Sequence, residues 1–166
     1  MDTGSLIETY DTLDYAMRLG AAAAMGGVIG LDREAKNRPA GLRTHMMTAM
    51  AAAIFTVLTL DLHHNFVEQG AHGTADPIRI IEAVTAGVAF LAAGAIIQSR
   101  GRVEGLTTGA GMWLAGALGV ACGMENYKIG AVALVLATII LAAIRPLEAK
   151  LGDKTERSKE AHRPPE

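Results

Sequence analysis

Charged side chains are absent from five stretches of the chain, residues 19–31, 44–60, 83–99, 105–124 and 129–144. Ala, Leu, Ile, Val, Met and Gly fill these stretches, and the charges crowd between them. A helix that crosses a bilayer needs about 17–25 mostly apolar residues. A soluble helix would instead place polar residues every third or fourth position along its wet face; residues 105–124 and 129–144 have no such face. The pattern predicts five transmembrane helices over residues 14–31, 44–62, 77–98, 105–123 and 128–145. The shorter runs gain length from terminal polar side chains that reach the interface. The expected fold is an all-α integral membrane bundle. It comprises an acidic N-terminal segment (1–13), a membrane domain (14–145) and a charged, disordered tail (146–166).

The distribution of Lys and Arg orients this bundle. Segment 32–43 holds four, 98–104 holds two and the tail from Arg145 holds six, whereas the alternate loops hold only Arg79 and Lys128. By the positive-inside rule the N-terminus lies outside and the C-terminus in the cytoplasm. Residues 1–13 lack the basic region of a cleaved signal peptide, so the first helix serves as its own insertion signal.

Composition changes the packing expectation. The chain is 51% hydrophobic but only 4% aromatic, with 19 Gly. Helices in lipid gain little from hydrophobic attraction to one another and pack closely through small residues. Gly111, Ala115, Gly119 and Gly123 form such a stripe on the fourth helix, Gly26 and Gly30 a pair on the first, and Gly101, Gly105 and Gly109 extend the spacing. Trp113 and the lone Cys122 lie within the fourth run and read as packing residues.

Two groups of charges remain. Near the outer face, Arg18 on the first helix and Glu82 on the third are expected at similar depth, and pairing would offset the cost of burying either. In "TADPIRIIEAV" Asp76 suits the N-cap and Pro77 the first helical position, with Arg79 and Glu82 three apart on one side. On the inner face, "GLDREAKNRPAGLRTH" (30–45) packs Asp32, Arg33, Glu34, Lys36, Arg38 and Arg43 together. Topology explains its bases but not its acids. Its mixed signs suggest an ion-paired cluster pinning helices one, two and four, with the Thr107 and Thr108 hydroxyls of "GLTTGAG" close by.

Three segments, "GGVIGLDREAKNRPAGLRTHMM", "DPIRIIEAVTAGVAFLAAGAII" and "VEGLTTGAGMWLAGALGVACGMENY", together resemble the transmembrane domain of the MgtC/SapB family over roughly residues 20–127. The resemblance implies a bacterial inner-membrane protein linked to growth at low magnesium and, in pathogens, to survival inside macrophages. The family's charged motif maps onto Asp32, Arg33, Glu34, Pro39, Gly41, Leu42, Arg43 and Thr44. Its Asp-Pro-x-Arg maps onto Asp76, Pro77 and Arg79, and its Gly-Leu-Thr-Thr onto Gly105 to Thr108. Asp32 stands where the family usually has Glu, and Ala89 and Ala92 replace two glycines of its Gly-Phe-Leu-Gly-Ala-Gly. Many relatives carry a soluble domain after the fifth helix, which is not expected here.

Two functions follow. The favoured one is a non-enzymatic regulator that binds another membrane protein through its small-residue faces. The resemblance names ATP synthase or a magnesium transporter as that partner, and the same faces are open to a second copy of the chain. The alternative is direct transport of Mg²⁺ or another cation, with Asp32, Glu34, Asp76 and Glu82 as oxygen donors. Against transport, these acids are split between the two faces and each has arginine nearby. His63, His64 and His72 fit no compact metal-binding spacing. No Walker loop or nucleophile elbow appears. No cofactor and no nucleic-acid partner are expected beyond the lipid bilayer itself.

Overall fold

A computed structural model describes residues 3–68, 78–99 and 102–142. Five helices dominate them: α1 Thr3–Glu34, α2 Leu42–Glu68, α3 Ile78–Ala95, α4 Leu106–Gly123 and α5 Tyr127–Ala142. Helices α2, α3 and α4 are long and apolar enough to cross a membrane, and α5 is a shorter apolar helix. The chain is thus an all-α membrane bundle.

Helix α1 starts at Thr3, eleven residues ahead of the expected position. Its 32 residues extend about 48 Å, more than the hydrocarbon thickness of about 30 Å. Residues before Asp14 contain no Pro and only one Gly, so nothing in them stops a helix once the apolar part nucleates it. Helix α3 ends at Ala95, short of the expected 98. The chain there enters an antiparallel hairpin of β1 (Ile97–Ser99) and β2 (Arg102–Glu104), in which Ile97 faces Glu104 and Ser99 faces Arg102. Two residues separate the strands, the commonest hairpin spacing. The expected tail 146–166 and the cap residues Asp76 and Pro77 lie outside the described residues, as does Gly101.

The core is made by α1, α2 and α4, and small residues allow it. Ala22, Ala49, Ala53, Ala115 and Cys122 are fully buried at its centre, with Leu19, Met25 and Tyr127 packed around them. A Cβ on Gly26 would lie 2.5 Å from the His45 carbonyl oxygen, and one on Gly30 2.7 Å from Leu42 Cα. On α4, a Cβ on Gly119 would collide with the Ala49 carbonyl, and one on Gly123 would meet Thr56 Cβ at 2.7 Å. These glycines bring one backbone against another, gaining dispersion contacts that larger residues would forbid.

Helix α3 packs differently. Ile80, Val84 and Val88 are its buried residues against Ala52 and Val120. Its C-terminal part approaches α4 closely, where a Cβ on Gly109 would be 3.2 Å from the Ala92 carbonyl oxygen. Gly105, with φ +88°, opens α4 in the left-handed region, and a Cβ there would clash with the Ala95 carbonyl. A residue other than glycine would be both strained and obstructed at that turn.

Candidate functional site

The polar side chains gather at the two ends of the α1–α2–α4 core. At one end α1 stops in a turn set by Asn37, whose φ of 49° is left-handed. The Arg38 amide donates to the Arg33 carbonyl at 3.1 Å and the Asn37 amide to Glu34 at 3.0 Å. This pair of bonds is a Schellman cap, for which Asn is the usual substitute when Gly is absent; Pro39 then prevents the helix from resuming. The chain reverses into α2, and the Glu34 carboxylate accepts the Leu42 amide at 2.9 Å. An acid from α1 therefore caps the first turn of α2, where free amides and the helix dipole favour negative charge.

Asp32 makes ion pairs with Arg33 and with Lys36 one turn on. Burial alone would raise its carboxyl, but hydrogen bonds from Lys36 and Arg33, and their charges, outweigh this and hold it below the ordinary carboxylate range. Arg33 itself is only 5% exposed. Beside it lies His45, fully buried near the start of α2. His45 Nδ1 bonds the Gly41 carbonyl at 2.9 Å. A carbonyl can only accept, so Nδ1 is the donor in that contact. Nε2 faces the α4 backbone, 3.1 Å from where a Gly111 Cβ would lie, and it has no hydrogen-bond partner among the described residues.

At the opposite end Arg18 joins three groups. Its guanidinium pairs with Asp14 one turn earlier on α1 at 2.5 Å, with Glu125 beyond α4, and donates to the Gly123 carbonyl at 3.2 Å. Gly123 ends α4, so the cation sits where free carbonyls and the dipole favour positive charge. The turn after α4 is a second Schellman cap: the Asn126 amide donates to Ala121 at 2.8 Å and the Glu125 amide to Cys122 at 3.0 Å. Its left-handed residue is Glu125, φ 59°, where glycine would cost least. Nearby, the Tyr15 hydroxyl donates to Asp61 at 3.1 Å and ties α1 to α2.

The expected pairing of Arg18 with Glu82 is not made. Arg18 faces the α4–α5 turn, and Glu82 lies exposed on α3, which packs on α2 and α4. The cluster around Asp32 also differs from expectation. It joins α1 to α2 through Glu34, whereas α4 meets it through Gly111 and His45. Thr108 is buried, Thr107 is exposed, and Arg38, Arg43 and Arg79 are exposed as well. Asp76 is outside the described residues. The packing glycines Gly26, Gly30, Gly111, Gly119 and Gly123 all face neighbouring helices, and Gly105 and Gly109 face α3. Among the described residues no three His, Cys, Asp or Glu side chains gather as metal ligands. Sequence reasoning passed over His45. Its signal was a single imidazole two places inside an otherwise uncharged run.

Comparison with known proteins gives this arrangement a family. The sequence profile of the MgtC family matches residues 19–150. The chain is 32% identical over 145 residues to the "Putative magnesium transporter YhiD" of Escherichia coli K12, covering 86% of this chain and 66% of the relative. It is 33% identical over 148 residues to "Protein SapB" of Bacillus subtilis 168, covering 89% and 63%. With "Protein MgtC" of Brucella abortus 2308 it shares 36% identity over 129 residues, covering 78% and 50%. The chain thus spans about half to two thirds of the length of these relatives. No solved structure matches it. The profile covers most of the chain, including the Asp32 end and the glycine-packed core and beginning one residue after Arg18, and the chain belongs to the MgtC family.

Proposed function

We propose that this chain is a non-enzymatic regulator in the bacterial inner membrane, acting on another membrane protein in magnesium homeostasis, with its N-terminus outside and its C-terminus in the cytoplasm. The observation that carries the reading is the engagement of the acids at the two polar ends. Asp32 is held by Arg33 and Lys36, Asp14 and Glu125 by Arg18, and Glu34 by the Leu42 amide. A Mg²⁺ site uses one or two carboxylates with several waters, and a cation already in place lowers the field such an ion requires. Between the two ends the centre is Ala and Cys packed to zero exposure, whereas transporters generally hold their substrate near the midplane. The link to magnesium rests on the name of YhiD, and an ATP synthase or a magnesium transporter is the class of partner that fits a regulator.

That same name favours the second reading, direct cation transport. Magnesium flux into liposomes carrying the purified protein separates the two, run beside Asp32→Asn and Glu82→Gln. The regulator gives no flux above empty liposomes from protein shown to be folded and inserted. Flux that saturates with Mg²⁺ and disappears in either variant makes the chain a transporter.

A further inference from the structure

Between α2 and α3 lies an open groove of about 580 Å³ that neither polar end uses. Its walls are Ala51, Phe55 and Thr59 of α2 and Ala83, Gly87 and Leu91 of α3, with Thr48 at one end and Arg79 at the other. The hydroxyls of Thr48 and Thr59 donate to the Thr44 and Phe55 carbonyls of their own helix, so neither hydroxyl proton is left for an occupant and the walls are mainly apolar. Among the described residues, Arg79 is the one charged side chain that lines the groove. It is exposed, and no salt bridge among the described residues involves it or Glu82 one turn on.

Thr48 and Thr59 are eleven residues apart on one helix, which is about 16 Å along the axis. One leaflet of a bilayer has a hydrocarbon depth of about 15 Å, half of the roughly 30 Å core. An apolar channel one leaflet deep with a guanidinium at its mouth is complementary to a lipid chain under an anionic headgroup. We propose that the α2–α3 groove binds one anionic phospholipid, an acyl chain lying along Gly87 and the phosphate paired with Arg79. Arginine suits this place because its planar fork matches two phosphate oxygens. Gly87 suits the other requirement: a Cβ there would meet nothing within 4 Å, so the glycine leaves width for the chain, not for a neighbouring helix. The inference is independent of whether the protein regulates or transports.

Native mass spectrometry of the full chain in detergent, titrated with phosphatidylglycerol and with phosphatidylcholine, tests it. The wild type is expected to retain one phosphatidylglycerol with a preference of roughly tenfold, because the choline cation of phosphatidylcholine already neutralises the phosphate that Arg79 would pair with. Arg79→Gln should weaken phosphatidylglycerol until the two lipids are within about twofold of each other, with both still retained. Gly87→Leu, whose Cβ would meet nothing within 4 Å, projects into the groove and should abolish retention of both. Gly94→Leu, on the same helix, outside the groove and equally open, should behave as the wild type, and the helicity and melting of each variant show that it has folded. Equal retention of the two lipids by the wild type overturns the proposal, as does phosphatidylglycerol bound unchanged by Gly87→Leu. A second copy or a peptide held in the groove and released by that substitution overturns it too, in favour of a protein occupant.

Discussion

The two polar ends of the bundle do the same work by different means. At the Asp32 end every ion pair is local: Asp32 meets Arg33 beside it and Lys36 one turn on, and Glu34 reaches the amide of Leu42 across one tight turn. At the Arg18 end one guanidinium spans the fold, linking Asp14 on α1 to Gly123 and Glu125 more than a hundred residues away. The local cluster can form as soon as α1 and its turn exist. The distant one forms only after α4 has docked, so it reports on the assembled bundle, whereas Asp32 reports on a helix end.

Four substitutions sharpen this contrast. Arg18→Ala should be the most damaging, because it leaves two carboxylates and a helix-terminal carbonyl without their cation. Loss of one partner of a buried pair costs about 3–5 kcal/mol, reduced here to about 2–3 because Glu125 is half exposed. Thermal unfolding in detergent measures it, and the swap Arg18→Glu with Glu125→Arg should recover part of the loss. Asp32→Asn should cost less, about 1–2 kcal/mol, by depriving buried Arg33 of its charged partner.

The Asp32 effect has a pH signature. Its folded carboxyl lies below the ordinary range, so its contribution is complete above about pH 4, near the unfolded value. It is lost as the pH falls through the lower folded value. Melting curves taken down that window should slope in the wild type and less so in Asp32→Asn. Glu34→Gln keeps an oxygen to cap α2 and should cost about 0.5–1 kcal/mol. Glu82→Gln, on an exposed face, should stay within about 0.5 kcal/mol; a loss as large as that of Arg18→Ala would restore the pairing that the structure does not make.

The same contrast explains what could be read from the sequence. The uncharged runs were legible because lipid supplies no partner for exposed backbone, which leaves helices as the means of crossing. The stripe at Gly111, Ala115, Gly119 and Gly123 was legible because its spacing puts all four on one face, and that face is buried against α1 and α2. The Asp32 cluster was visible as neighbouring letters. Arg18 was recognised as a charge in need of a partner, but depth alone could not select among the acids at that end. Its true partner, Glu125, stands at a left-handed turn position where the sequence reads simply as a loop. His45 went unnoticed because a neutral imidazole does not interrupt an apolar run. The start of α1 and the hairpin after α3 were missed for one reason: charge marks where the membrane ends, not where hydrogen bonding does.

The glycine contacts also have a mechanical consequence. On α1 and α4 they act as keys cut into a shaft. Sliding either helix past α2 by one residue, about 1.5 Å, would carry a side chain into a carbonyl that only glycine clears. α3 is keyed over its C-terminal half, at Gly105 and Gly109 and, where Val88 meets Gly116, at mid-helix, while Gly87 and Gly94 face open space. Any strain on the bundle is therefore taken up first as a swing of α3 about that half, with three helices as the fixed frame and the Arg79 end as the part that travels.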